Sequence, residues 1–199
     1  MADDATPDYC ACDTLVLGCG NELFGDDGFG RAVARRLHDR PELPGSVLAM
    51  DVGTSVREVL FNVVLSPVRP RQIVVVDAVD LGRQPGEVWT LSAGDLPEIK
   101  RDDFSMHQVP TSNLLRELSE LGGVSVTCVV GQVGGLPTEV RPGLSAAMEH
   151  AVDRAVELIL NVELPIANCQ LPIEEDGASG MPSLQSAIGN RKSAIPQRS

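Results

Sequence analysis

Lysine, aromatic residues and long apolar runs are all scarce in this sequence. Lysine occurs only at Lys100 and Lys192, and aromatic residues make up 3% of the 199-residue chain. A hydrophobic core must therefore be built mainly from Val, Leu, Ile and Ala. No apolar run approaches the roughly 18 residues that a transmembrane helix requires, so the sequence predicts no membrane-spanning segment.

Positive charge is also in short supply. The chain has 16 Lys and Arg against 28 Asp and Glu, a net charge of −12. Nucleic acids and anionic membranes select basic surfaces, so both are disfavoured as partners. An acidic surface suits a basic protein partner, although it also serves solubility. The N-terminus lacks the positive-then-apolar order of a secretory signal, which predicts a cytoplasmic protein.

The cysteines do not indicate a disulfide framework. There are five of them, an odd number, at Cys10, Cys12, Cys19, Cys128 and Cys169. Cys19 and Cys128 lie in apolar, strand-like runs and are expected to be small buried hydrophobic residues. The Cys10-x-Cys12 pair lacks the spacing of a common zinc knuckle, so neither a disulfide scaffold nor a structural zinc site is predicted.

Apolar runs typical of buried strands alternate with amphipathic segments. This alternation predicts an α/β fold, with a parallel sheet covered by helices on both faces. The predicted strands are 14–19, 46–52, 72–78, 124–133 and an antiparallel edge strand at 87–92. The predicted helices carry apolar faces at 29–37, 56–64, 112–121 and 144–160.

The same patterns suggest one domain with loose ends. Residues 14–164 are expected to form a single α/β domain, preceded by a flexible N-terminus at 1–13. From residue 165 to residue 199 the chain is rich in Pro, Gly, Ser and Asn, and this composition predicts a mostly disordered tail.

Candidate functional residues fall where the predicted strands end. Asp27 follows the first strand, Asp77 ends the third, and His107 lies in a polar loop. Ligands bind at the carboxyl ends of strands in such sheets. Two carboxylates and an imidazole could hold a divalent metal with positions open to water or substrate. The spacing alone also allows a helix cap at Asp27, a turn at Asp77 and a solvated loop at His107.

Other residues have simpler expected roles. Asp26 is predicted to cap the first helix, and Ser55 with Glu58 fits a capping box for the second. Three further carboxylates on the same edge are reserve candidates for the site: Glu22, Asp51 and Asp80.

Three other chemistries are disfavoured by the sequence. A dinucleotide loop beginning at Gly18-x-Gly20 would need glycine or alanine where Leu23 stands. A phosphate-accepting receiver domain would need a lysine at the end of the last strand, and neither lysine is near it. A nucleophilic triad is disfavoured because no GxSxG motif appears and Cys19 has no obvious base.

The segment LVLGCGNELFGDDGFGRAVARRL at 15–37 resembles the opening of the hydrogenase maturation proteases, endopeptidases specific for nickel-iron hydrogenase large subunits. The resemblance rests on an apolar strand, G-x-G-N, paired acidic residues, then glycine and a helix. It continues through DVGTS, IVVVDAVDLGRQPGEV, SMHQVPTSNLL and VGQVGGLPTEVRPGLSAAMEHAVDRAVELI. The segment LGCGNELFGDDGFG is similar to the corresponding segment in the branch of the family that serves coenzyme-F420-reducing hydrogenases.

This resemblance implies a specific activity and site. The metal-binding positions of the family fall on Asp27, Asp77 and His107. They would contact nickel supplied by the substrate, so that a permanently bound metal is not required. The implied reaction is removal of a short C-terminal extension from the large-subunit precursor after nickel insertion, by a metal-dependent endopeptidase. The protein is expected to be a monomer. Glu22 departs from the family pattern by adding a carboxylate to the loop.

The resemblance also implies a three-layer α/β/α sandwich around a mostly parallel five-strand sheet with one antiparallel edge strand.

An alternative function belongs to a different class. The chain could be a non-catalytic, chaperone-like module that binds the hydrogenase large subunit without cutting it.

Overall fold

The first strand shows how the side-chain pattern builds the sheet. The structure is a computed structural model that describes residues 7–92 and 109–161, except the side chains of 109–113. Strand β1, Thr14–Cys19, is buried along its whole length, as a strand covered on both faces must be. Leu15 and Leu17 pack on one face and Val16 on the other, because successive side chains alternate.

Five strands of the described residues form one mixed sheet. After β1 they are β2 (Val47–Gly53), β3 (Gln72–Val79), β4 (Val88–Ser92) and β5 (Ser125–Gln132). Their spatial order is β2-β1-β3-β5-β4. All neighbours pair in parallel except β4, which lies antiparallel to β5 at the edge. The predicted mostly parallel sheet with one antiparallel edge strand is confirmed.

Helices cover both faces of this sheet. They are α1 (Phe29–His38), α2 (Val56–Leu65), α3 (Val109–Glu120) and α4 (Ala146–Asn161). Helices α1 and α4 contact each other, as do α2 and α3, and each pair belongs to a separate hydrophobic cluster. The layers are therefore α/β/α, as expected. Within the described ranges, no helix is long and apolar enough to cross a membrane.

Residues 7–13 differ from the flexible segment expected there. Cys10 is fully buried, within a short 3-10 helix at Asp8–Cys10. The Tyr9 hydroxyl accepts a hydrogen bond from Asn62 Nδ2 of α2 at 3.0 Å. The ring of Tyr9 and the Cys10 thiol add apolar surface to the core, which accounts for the packing of this segment. Structured chain thus begins before the predicted boundary at residue 14.

Helix α1 lies close to the sheet because Gly30 of the helix faces Gly18 of β1. A Cβ atom added to Gly30 would lie 2.1 Å from the carbonyl oxygen of Val76 and 2.6 Å from that of Cys19. A Cβ added to Gly18 would lie 2.2 Å from the carbonyl oxygen of Gly30. The first turn of α1 therefore packs directly over the ends of β1 and β3.

Gly30→Ala is expected to destabilise the protein by about 3 kcal/mol, because backbone atoms cannot yield to the new methyl group and α1 must move. The matched control is Gly45→Ala, since a Cβ at Gly45 has no atom within 4 Å. The control should change stability by less than about 0.5 kcal/mol. Urea unfolding followed by far-UV circular dichroism measures both. Equal effects of the two substitutions would contradict the close-contact explanation.

Candidate active site

The loop from β1 to α1 folds back against the end of its own strand. It contains a 3-10 helix, Gly25–Gly28, which carries Asp26 and Asp27. Gly20 has φ of +108°, a conformation that favours glycine, and a Cβ there would lie 1.8 Å from the carbonyl oxygen of Asp27. Glycine at this position allows the backbone of Asp27 to reach the carboxyl end of β1.

The carboxylate of Asp27 is held by a backbone amide. Its Oδ2 atom accepts a hydrogen bond from the N–H of Asn21 at 2.7 Å. Hydrogen bonds to an ionised acceptor are short and strong, so this contact fixes the orientation of the carboxylate. The residue is half-buried, which leaves part of it accessible from the edge of the sheet.

Asp77 lies near the end of the neighbouring strand β3. It is half-buried, and its Oδ1 accepts a hydrogen bond from the N–H of Ala78 at 2.9 Å. Strand alternation places it on the same face as Val75 and Val79, which pack in the cluster that includes α3. The 3-10 helix that carries Asp27 also contacts β3. The structure therefore brings the two predicted aspartates to one edge of the sheet.

The third predicted site residue, His107, lies outside the described residues. Helix α3, on the same side of the sheet as Asp77, begins at Val109. Among the described residues there is no group of three His, Cys, Asp or Glu side chains that could hold a metal ion. That absence does not test the predicted set, because His107 is not among the described residues. The metal-binding set of Asp27, Asp77 and His107 therefore stays a prediction.

The predicted helix caps are wrong. Asp26 does not cap α1. Its carboxylate instead accepts hydrogen bonds from the backbone N–H of Ser145 at 2.6 Å and from the Ser145 hydroxyl at 2.9 Å. The intervening 3-10 helix directs Asp26 away from α1 and towards the start of α4. Ser55 precedes α2, but no side-chain hydrogen bond caps that helix, so the capping box with Glu58 is absent.

Two of the reserve carboxylates belong to an ion-pair network with arginines of α1. Asp51 Oδ1 accepts from Arg31 Nε at 2.7 Å, and its Oδ2 accepts from Arg35 Nε at 2.7 Å. Glu22 Oε2 accepts from Arg35 Nη1 at 2.8 Å, and its Oε1 lies 3.6 Å from Arg31 Nη1. We call these four side chains the arginine network. It links the β1–α1 loop, α1 and β2.

The arginine network changes the ionisation of Asp51. Burial acts to raise its pKa, but the hydrogen bonds and positive charges of Arg31 and Arg35 outweigh burial. The pKa of Asp51 is consequently held below its ordinary value of 3.8. Asp51 is therefore occupied by structural ion pairs, which argues against its reserve role as a metal ligand.

The third reserve candidate, Asp80, is bound by a buried glutamine that sequence reasoning missed. Gln132 is 1% exposed, and its Nε2 donates to Asp80 Oδ1 at 2.9 Å and to the Val133 carbonyl at 2.8 Å. Its Oε1 accepts from the N–H groups of Leu81 and Arg83 at 2.9 and 3.2 Å. Gln132 thereby shapes the loop after β3. Its only sequence signal is a polar residue near the end of an apolar strand.

A cavity lies at the end of β3, after Asp77 in the chain. Its volume is about 200 Å³, and it is lined by Ala78, Val79, Asp80, Val133 and Leu136. The lining residues come from the end of β3 and from the loops that follow β3 and β5. The cavity thus lies at the sheet edge that carries the two aspartates.

The fold and the site together define the class of protein. It is an α/β protein with two aspartates at the carboxyl edge of a mostly parallel sheet. A family model described as hydrogenase maturation protease matches residues 31–162. The chain belongs to the hydrogenase maturation protease family, as its motifs indicated.

Individual relatives agree with this assignment. A Methanocaldococcus jannaschii protein, provisionally named a hydrogenase maturation protease, is 39% identical over 149 residues, covering 74% of this chain and 94% of the relative. The coenzyme F420 hydrogenase subunit delta of Methanothermobacter thermautotrophicus is 36% identical over 153 residues, covering 74% and 92%. The solved hydrogenase maturating endopeptidase of Escherichia coli superposes with a TM-score of 0.61 at 26% identity, covering 75% and 91%.

The lowered pKa of Asp51 predicts a pH-dependent contribution to stability. A carboxyl group whose pKa is lower in the folded state than in the unfolded state stabilises the protein at pH values above its unfolded-state pKa. This stabilisation is lost as the pH falls through the folded-state pKa. Asp51→Asn should therefore lower the free energy of unfolding at pH 7, and the deficit should shrink as pH falls below about 3.8. Urea unfolding at a series of pH values measures this difference.

The matched control for Asp51→Asn is Asp153→Asn. Asp153 of α4 pairs with Arg36 of α1, the helix that carries Arg31 and Arg35, but the Asp153 side chain is 57% exposed. Exposed ion pairs contribute little, so the control should have a small effect at neutral pH. A deficit of Asp51→Asn that is equal at pH 3 and pH 7 would show that its ion pairs do not cause the loss of stability.

Proposed function

We propose that this chain is an endopeptidase that removes the C-terminal extension of a nickel-iron hydrogenase large-subunit precursor after nickel insertion. Membership of the maturation protease family supports the reaction class. The observation that carries the proposal is the placement of Asp27 and Asp77 at one sheet edge, with Asp27 fixed by the Asn21 amide.

In this proposal Asp27, Asp77 and His107 contact the nickel of the precursor. Carboxylate oxygen and imidazole nitrogen are suitable ligands for a divalent first-row metal. The nickel belongs to the substrate, so its presence would mark a precursor that is ready for processing. By holding the nickel, the three side chains would place the adjoining peptide bond at the sheet edge, where orientation lowers the barrier to hydrolysis.

The surface around the two aspartates suits a protein substrate. Leu23, Leu136 and Val140 are 46%, 42% and 64% exposed. They belong to the loops after β1 and β5, which are joined by a hydrogen bond from the N–H of Arg141 to the Leu23 carbonyl at 2.8 Å. Exposed apolar side chains grouped beside a site are typical of surfaces that bind other proteins. Together with the cavity at the end of β3, they would contact the precursor near the cleaved bond.

Nickel-loaded and nickel-free precursor, each incubated with the purified protein, test the reaction directly. Mass spectrometry should show loss of the C-terminal peptide from the nickel-loaded form only. Equal cleavage of both forms would disprove nickel recognition. An intact nickel-loaded precursor that co-purifies with the protein would instead favour the chaperone-like alternative.

Substitution of the proposed nickel contacts should abolish most of the activity. Asp27→Asn, Asp77→Asn and His107→Ala are each expected to lower the cleavage rate by about 100-fold or more, since each removes a metal-binding group. His150→Ala is the control, because His150 is an exposed histidine on α4. Cleavage by His107→Ala at the rate of His150→Ala would remove His107 from the site.

A further inference from the structure

Three successive residues of the β1–α1 loop are held by three separate anchors. The N–H of Gly20 donates to the carbonyl of Gly53 at 3.2 Å, and the N–H of Asn21 donates to the Asp27 carboxylate at 2.7 Å. The third residue, Glu22, is paired with Arg31 and Arg35. The middle anchor contacts the Asp27 carboxylate, and the outer two determine where the Asn21 amide stands.

Arg31 and Arg35 both join Glu22 to Asp51, and Arg31 makes the two-point contact with Asp51. Arg31 donates to Asp51 from Nε at 2.7 Å and from Nη2 at 3.2 Å, and its Nη1 forms an ion pair with Glu22 at 3.6 Å. Arg35 donates one hydrogen bond to each carboxylate, at 2.7 Å to Asp51 and 2.8 Å to Glu22. The Arg31 guanidinium therefore connects the end of β2 to the residue next to Asn21. The side chain of Arg31 is 23% exposed and that of Arg35 is 52% exposed, so Arg31 makes the less solvent-screened connection.

We propose that Arg31 is a positioning residue for Asp27: by joining Glu22 to Asp51, it holds the loop so that the Asn21 amide fixes the Asp27 carboxylate. The catalytic part of this inference rests on the proposed function, in which Asp27 contacts the nickel of the substrate. The structural part does not, because it concerns the hydrogen bond between Asn21 and Asp27.

The chemistry of arginine suits this role. A planar guanidinium donates two parallel hydrogen bonds to one carboxylate and still has a donor for a second. A lysine ammonium retains the positive charge but cannot hold that fixed geometry. Arg31→Lys should therefore keep part of the attraction to Glu22 and Asp51 while losing the alignment. Arg31→Gln removes the charge and every Arg31 contact of the network, and leaves Arg35 bonded to Glu22 and Asp51.

The matched control is Arg36→Gln. Arg36 is on the same helix and pairs with Asp153 of α4, so the same substitution breaks an ion pair that does not contact the loop. Global effects of losing one arginine from α1 are therefore common to both variants. Effects confined to the Arg31 variants report the arginine network.

The first measurement is amide hydrogen exchange of Asn21 by NMR, with the amides of β5 as internal reference. Arg31→Gln should speed Asn21 exchange by about tenfold or more, because exchange rates follow local opening, while β5 amides stay unchanged. Arg31→Lys should give an intermediate rate, and Arg36→Gln the wild-type rate. An unchanged Asn21 rate in Arg31→Gln would overturn the proposal whatever the activity.

The second measurement is cleavage of the nickel-loaded precursor. Misorientation of one nickel contact should lower kcat by about 10- to 100-fold, with KM changed by less than about threefold, because most of the protein–protein contact remains. Faster Asn21 exchange with unchanged kcat would overturn the positioning role. If the wild-type protein fails to cut the precursor, the proposed function fails, while the exchange experiment still tests the loop anchor. Should Arg31→Gln fail to fold, Arg31→Lys supports both tests.

Discussion

The close backbone contact between α1 and the ends of β1 and β3 is the constraint on which the site depends. Gly18 and Gly30 remove the side chains that would separate helix from sheet. Gly20 then lets the backbone of Asp27 reach the strand end. The position of the Asp27 backbone is thus set by backbone atoms packed against backbone atoms. Such contacts have no rotamer freedom, so they hold a functional group more rigidly than side-chain packing does.

Helix α1 serves two purposes on two of its faces. Phe29, Val33 and Leu37 are fully buried and fasten the helix to α4 and the sheet. Arg31 and Arg35 face the β1–α1 loop and neutralise two carboxylates of a chain that carries a net charge of −12. Repulsion among acidic groups at the sheet edge is reduced in this way.

Sequence periodicity predicted the sheet better than it predicted the polar contacts. Strand β1 has the predicted bounds, because an uninterrupted apolar run is a local signal of a strand buried on both faces. The partner of Asp26 is Ser145, 119 residues away, so no local spacing could reveal it. Gln132 likewise binds Asp80 at a separation of 52 residues. These contacts exist only after the strands have aligned, which is why local capping rules failed for Asp26.

The structure also gives a physical role to individual residues of the motif at the end of β1. In the run Gly18-Cys19-Gly20-Asn21, the first glycine admits α1 and the second admits the backbone of Asp27. Asn21 contributes twice: its N–H binds the Asp27 carboxylate, and its side-chain oxygen accepts from the N–H of Leu23 at 3.1 Å. The second contact closes a local turn that asparagine forms readily. A pattern that resembles a phosphate-binding loop thus serves here to place a carboxylate, because its amide points inward to Asp27 rather than outward to a ligand.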